Sequence, residues 1–225
     1  GWDTNGCRGL YINMNAPNES IPLRGIGKIR PPRSLLALAG KAIGDYRMIR
    51  PGDRILLGLS GGKDSLSLLH TLLHLQEKSP VKFELAAATV DPQSPEYHPQ
   101  ALKDYVPKLG IPYFYETMNV VQLAQEKMDN PSFCAFCSRM RRGLLYGAAR
   151  REGYNVLALA QHLDDLAETF FMSTLFGGKL RTMSAHYVND DGDLRIIRPF
   201  VYVRERQTRA FAQAGSALVE LEGHP

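Results

Sequence analysis

Residues 54–65 read RILLGLSGGKDS, an apolar run that breaks into two serines, two glycines, a lysine and an acid. A strand, a glycine turn and a helix in that order hold an anion. The unpaired N–H groups of the helix start and the positive end of its dipole point into the turn. Gly61 and Gly62 let the backbone approach phosphate oxygens, Lys63 supplies charge, and Ser60 and Ser65 supply hydroxyl donors. A lone glycine pair with a lysine is ordinarily a surface turn. Here five such residues converge on one helix start, with Asp64 beside them, and nucleotide chemistry becomes the better reading. It is not a Walker loop: Gly58 and Gly62 are separated by three residues rather than four, and an acid follows Lys63. Nor does it match the dinucleotide pattern G-x-G-x-x-G.

Three further groups carry chemistry. Asp91 ends a second apolar run and offers a carboxylate for magnesium or for orienting a reacting group, against the plainer reading of an acid that stops a strand before Pro92. In ALAQHLDDLAETFF (158–171), His162 follows a strand, and Asp164 and Asp165 open a helix. Capping accounts for one of those acids, but two acids and a histidine exceed what a cap requires. In NPSFCAFCSRMRRGLLYGAARREG (130–153), Cys134 and Cys137 stand one helical turn apart beside basic residues that favour thiolate. By itself C-x-x-C is equally two buried thiols, half a zinc site or a redox pair.

These groups need a frame that brings strand ends together. Alternation along the chain predicts strands at 54–59, 83–90, 113–117 and 156–160. Helices are expected over 33–49, 64–75, 100–109, 120–127, from about Cys137 onward, and over 164–175, with a closing helix in RERQTRAFAQAG. VNDDGDLRIIRPF reads as a hairpin around Asp191-Gly192. Buried strands alternating with helices mean an α/β fold, a doubly wound parallel sheet whose ligand edge lies at the strand C-termini. Residues 1–32, with four prolines and no sustained periodicity, are expected as an arm ahead of a domain spanning 33–225.

The 225 residues suffice for one domain with its own core. Apolar runs are too short to span a membrane, the N-terminus lacks the order of a signal peptide, and three cysteines are too few for a disulfide scaffold. A soluble cytoplasmic protein with no membrane partner is expected. Net charge is only +4, yet Arg139, Arg141, Arg142, Arg150 and Arg151 crowd one segment. A solvated helix face is the ordinary meaning of such a run, and a surface for a polyanion the functional one.

The quoted motifs resemble a known family. SGGKDS is similar to the signature loop of the PP-loop ATP pyrophosphatases, which cleave ATP between the α- and β-phosphates and hold the leaving pyrophosphate in that loop. QHLDD is similar to the GHHxDD stretch of PP-loop tRNA-thiolating enzymes, with Ala160 and Gln161 where the family has glycine and its first histidine. Only His162, Asp164 and Asp165 therefore inherit a role. CAFCSRMRRGLLY, together with LFGGK (175–179) and IRPF (197–200), resembles the bacterial tRNA 2-thiocytidine synthases, over about Arg33 to about Ala214. The resemblance implies thiolation of an anticodon-loop cytidine through an adenylated base, with ATP and Mg2+. ATP would be held by Ser60, Gly61, Gly62, Lys63, Asp64, Ser65, Val90, His162 and Asp165. It implies catalytic roles for Lys63, Asp91, Cys134 and Cys137, magnesium on Asp91 and Asp164, and tRNA on Arg139, Arg142 and Lys179.

It further implies a [4Fe-4S] cluster on three cysteines, of which Cys134 and Cys137 match two. The family's third ligand follows the terminal helix, where AFAQAGSALVELEGHP has none, and Cys7 replaces it only if the arm folds back. Expected partners are tRNA, a sulfur donor such as a cysteine desulfurase, and a second copy of the chain in a homodimer. Two alternatives stay open. One is a neighbouring tRNA-modifying enzyme, a 2-thiouridine synthase or a lysidine-type ligase, although the ligase has no use for the cysteines. The other is a non-catalytic ATP- or tRNA-binding relative.

Overall fold

The computed structural model describes residues 27–93, 97, 99–118 and 133–222, the side chains of 133–137 and 216–222 excepted. The expected helix over 120–127 and Cys7 lie outside that set. The described elements are α1 (Arg33–Asp45), β1 (Arg54–Gly58), α2 (Lys63–Lys78), β2 (Glu84–Asp91), α3 (Gln100–Tyr105) and β3 (Tyr113–Thr117). They continue with α4 (Phe133–Arg151), β4 (Val156–Ala158), α5 (Leu163–Gly177), β5 (His186–Val188), β6 (Arg195–Ile197) and α6 (Glu205–Glu222). Among the described residues no helix is long and apolar enough to cross a membrane.

The six strands form one sheet in the order β3-β2-β1-β4-β6-β5. All neighbours are parallel except β5 and β6, the expected hairpin, which pair Tyr187 with Ile196. Alternate residues serve opposite faces, as strand geometry requires. Ile55, Leu57, Leu85, Ala87, Val156, Ala158 and Ile197 pack with α1, α2, α3 and α6. Leu56, Ala86, Ala88, Leu157 and Ile196 pack with Leu145, Ala148 and Ala149 of α4. Gly58 admits that helix, since a Cβ there would meet Leu145 and Leu159 at 3.1 Å each. In α2 every residue from Ser65 to Leu73 is buried.

Element ends differ from expectation for local reasons. α1 stops at Asp45 rather than 49, because the Met48 N–H reaches back to Ile43 O while Arg47 takes φ +48°. That is a Schellman-type end with arginine where glycine usually sits, and so has no sequence signal. The helix expected over 100–109 tightens to a 3-10 turn over Val106–Leu109, with Pro107 lacking an amide donor. α6 runs through Gly215 and Ser216 without interruption. At the N-terminal edge of the sheet, Asp53 is 3% exposed and joins three segments: it accepts from Arg195, from Asn155 Nδ2 at 3.2 Å and from Arg50 N at 2.7 Å.

Residues 27–30 run against α2. The Ile29 amide donates to His70 Nδ1 at 3.1 Å, while His70 Nε2 lies 2.9 Å from the Tyr105 hydroxyl. Burial depresses the His70 pKa to about 4, against about 6.5 for the unfolded chain. Between those values the unfolded state binds the extra proton, and stability falls as pH is lowered from about 6.5 to about 4, by roughly 2–3 kcal/mol in all. Urea titrations at pH 7 and pH 4.5 should therefore differ by more for the wild-type chain than for His70→Gln; equal losses would remove His70 as the cause.

Candidate functional site

The strand order decides where a ligand can sit. After β1 the chain builds β2 and β3 on one side and then crosses to β4 on the other. The loops leaving β1 and β4 therefore diverge, and the crevice between them is the switch point where open α/β sheets bind ligands. SGGKDS leaves β1 and QHLDD leaves β4, so both motifs reach this crevice. Asp91 ends the neighbouring strand at the same edge.

The first loop is built around Gly61, at φ +86°, where a Cβ would also meet Leu102 Cδ1 at 3.1 Å. Gly62 has ordinary φ, −76°, and caps α2 without a side-chain hydrogen bond. A Cβ on Gly62 would touch only Ser60 Oγ, at 3.6 Å. The space before the helix start is thus open, and the first-turn N–H groups have the orientation that receives an anion. Ser65 Oγ donates to Gly62 O at 3.0 Å, accepts from the Ser60 amide at 3.2 Å and lies 3.1 Å from Ser60 Oγ. Thr89 Oγ1 donates to Leu59 O at 2.8 Å, and the Tyr97 hydroxyl donates to Ser60 O at 3.1 Å. Val90 is buried next to Asp91 in β2.

Lys63 opens α2 with its ammonium 3.1 Å from Asp64 Oδ2 and 3.0 Å from Glu205 Oε1. Partial burial opposes its charge, but the two carboxylates outweigh it and raise the pKa above the ordinary lysine value. Asp64 Oδ1 accepts from Thr208 Oγ1 at 2.5 Å. Across the crevice, His162 is 6% exposed and caps α5: its Nδ1 accepts from the Asp165 amide at 3.4 Å, and the Asp165 carboxylate accepts from the His162 amide at 2.7 Å. Its Nε2 lies 3.9 Å from Asp64.

The two acids of that motif are driven apart. Burial pushes the Asp165 carboxyl up. Burial also acts on Asp164, but the Glu205 amide, at 2.6 Å, and the Arg204 guanidinium, at 3.3 Å, hold it below the usual carboxylate range. Asp91 is 9% exposed and accepts from the Gln93 amide at 2.6 Å and from the Tyr115 hydroxyl. Each oxygen of Asp91 and Asp164 already has a donor but keeps further lone pairs, so both suit a cation that takes its other ligands from water and phosphate.

α4 follows β3 and returns antiparallel to the strands, so its N-terminus, with Cys134 and Cys137, lies toward the same edge. Among the described residues no three His, Cys, Asp or Glu side chains group as metal ligands. Two cysteines of one helix do not by themselves complete a three-cysteine cluster site. Arg139 is exposed and Arg142 half-buried one turn further on, while exposed Lys179 follows the C-cap Gly178 of α5.

Two contributions escape the motifs. Glu205 and Thr208 of α6 reach the Lys63 loop across more than 140 positions, and RERQT carries no spacing signal to announce it. Gln161, which stands where the resembled motif has its first histidine, accepts from the Nε of Arg198 at 3.0 Å. Arg198 is 3% exposed and also donates to Ser184 O.

Comparison with known proteins agrees with this geometry. A family model described as a PP-loop domain matches residues 35–218. The tRNA-cytidine(32) 2-sulfurtransferase of Alkalilimnicola ehrlichii is 40% identical over 209 residues, 92% of this chain and 67% of its own length. That of Syntrophotalea carbinolica is 43% identical over 183 residues, 81% of this chain and 71% of its own. The solved U34-tRNA thiolase NcsA of Methanococcus maripaludis, with its [4Fe-4S] cluster, superposes at a TM-score of 0.63 over 86% of this chain and 73% of that one, at 19% identity, and so shares the fold. A phosphate-type loop at the switch point, a paired-acid helix start opposite it and this level of identity lead to one assignment: the chain belongs to the PP-loop family, in the group of the tRNA-cytidine(32) 2-sulfurtransferases.

Proposed function

We propose that this chain thiolates a tRNA cytidine, position 32 in its relatives, at the expense of ATP. The observation that supports this most is the uncapped start of α2, open in front of Gly62 and flanked by Lys63, at the sheet's switch point. In this reading the loop from Ser60 to Ser65 receives the β- and γ-phosphates. The C2 oxygen of the base attacks the α-phosphorus, the bond to the bridging oxygen breaks, and pyrophosphate departs into the loop. Sulfur at the sulfide level then adds at C2 as a nucleophile and loses its proton, and the C2–O bond breaks so that AMP leaves with the former C2 oxygen. Adenylation is the sensible first step because a carbonyl-type oxygen leaves poorly until it carries a phosphoryl group.

Residue roles follow from position. The loop N–H groups, Lys63, Ser60 and Ser65 stabilise charge that develops on pyrophosphate. Asp64, Val90, His162 and Asp165 shape the nucleotide's surroundings, and Asp91 lies on the reacting side. Asp91 and Asp164 would hold magnesium, which when bound screens phosphate repulsion. Sulfur delivery is assigned to Cys134 and Cys137, fed by a donor such as a cysteine desulfurase; a [4Fe-4S] cluster there would need a ligand beyond these two. Arg139, Arg142 and Lys179 are the proposed tRNA contacts.

Three outcomes are expected. tRNA digested from cells lacking this gene should lose 2-thiocytidine selectively in mass analysis; loss of a different thionucleoside would reassign the base, and an unchanged profile would favour a non-catalytic relative. Gly62→Ala should melt within a degree or two of wild type yet bind ATP at least ten-fold more weakly in calorimetry, since its methyl group enters space left for phosphate. Undiminished ATP affinity would place the phosphates elsewhere. Arg139→Ala with Arg142→Ala should weaken tRNA binding and reduce its log–log salt slope by about 1–2; an unaltered slope would return both arginines to a solvated helix face.

A further inference from the structure

Lys63 is the cation of the phosphate loop, yet its side chain is only 18% exposed and already holds two anions. They differ in what else binds them. Asp64 adjoins Lys63 in sequence and is tied to Thr208 Oγ1. Glu205 comes from another helix, is 39% exposed on its side chain, and has a second cation of its own: Arg209 Nη2 lies 2.9 Å from the same Oε1 that meets Lys63. If Lys63 turns toward a phosphate, Glu205 keeps a counter-charge in Arg209. Its backbone is held as well, since the Glu205 amide donates to Asp164 Oδ2.

We propose that Glu205 is a resident counter-anion which Lys63 exchanges for pyrophosphate, so that Glu205 sets how readily the loop takes up and releases that product. The inference rests on the reading of this loop as a pyrophosphate site. Glu205 acts through Lys63 and is a positioning residue. When the loop is empty, the carboxylate shares with Asp64 the compensation of a largely buried ammonium. When pyrophosphate is bound, the carboxylate competes for Lys63 and repels the product. Arg209 tunes that competition, because withdrawing it leaves Glu205 more dependent on Lys63.

The test is calorimetry of the full chain with inorganic pyrophosphate and, separately, ATP, both with magnesium, on wild type, Glu205→Gln, Glu205→Asp and Arg209→Ala. Glu205→Gln should bind pyrophosphate about two- to five-fold more tightly, the range a partly exposed ion pair is worth. Arg209→Ala should bind it more weakly, and Glu205→Asp should move back toward wild type. Opposite signs from neighbouring residues are not produced by general loss of stability, which thermal melts record in parallel. Unchanged affinity in Glu205→Gln with wild-type ATP binding would overturn the inference alone. Weaker binding in Glu205→Gln would overturn it too, making the carboxylate a ligand to the magnesium–phosphate complex. A wild-type chain that binds neither ATP nor pyrophosphate would overturn the functional reading, and the inference with it.

Discussion

The chain fills the sheet on one side of β1 before crossing to the other, and this leaves the carboxyl ends of β1 and β4 adjacent with no connection passing between them. Every feature of the crevice depends on that reversal. The loop from Ser60 to Gly62 turns away over one face, the residues from Leu159 to His162 turn away from the neighbouring strand, and each begins a helix beside the gap. Two helix starts then direct positive dipole ends toward one volume. At α5 the positive end is answered within the protein by Asp164 and Asp165. At α2 no side chain caps the helix, and the glycine that precedes it leaves the approach open.

That asymmetry explains the charges around it. A helix start and an ammonium in a half-buried crevice need anions even when no nucleotide is bound, and the carboxylates of Asp64 and Glu205 supply them. They are held in turn by Thr208 and Arg209, while Asp164 is held by Arg204 and the Glu205 amide. The first turn of α6 is thereby fastened to both loops. Its other anchorage is apolar, through Phe211 and Ala212 in the core shared with α2. A helix distant in sequence thus completes the charge balance of the loop.

How much of this could be read from residues alone depends on the range of the interaction. SGGKDS and QHLDD are local, and the strand–turn–helix context around them is set by runs of apolar residues, so the sheet and the position of both motifs at its strand ends are legible in the sequence. The Tyr113–Thr117 strand falls where expected, and the hairpin around Gly192 follows from its turn dipeptide and positive φ. Illegible were the contacts that need the tertiary fold. Glu205 meets Lys63 only because α6 packs on α2, and Arg198 supports Gln161 only because β6 lies beside β4. The end of α1 is illegible for a different reason, since arginine at a left-handed position looks like any other exposed residue.

His162 shows why a motif residue and a structural residue are hard to separate. Its ring accepts the Asp165 amide and its own amide donates back, so the side chain completes a capping box, a role that requires no ligand. Yet the same ring is nearly buried between that cap and the loop, with Nε2 directed toward Asp64. The cap therefore fixes the orientation that a contact with the loop would need. Structure and chemistry are not alternatives here. The helix start that His162 caps also holds its remaining nitrogen toward Asp64, and through Asp64 toward Lys63.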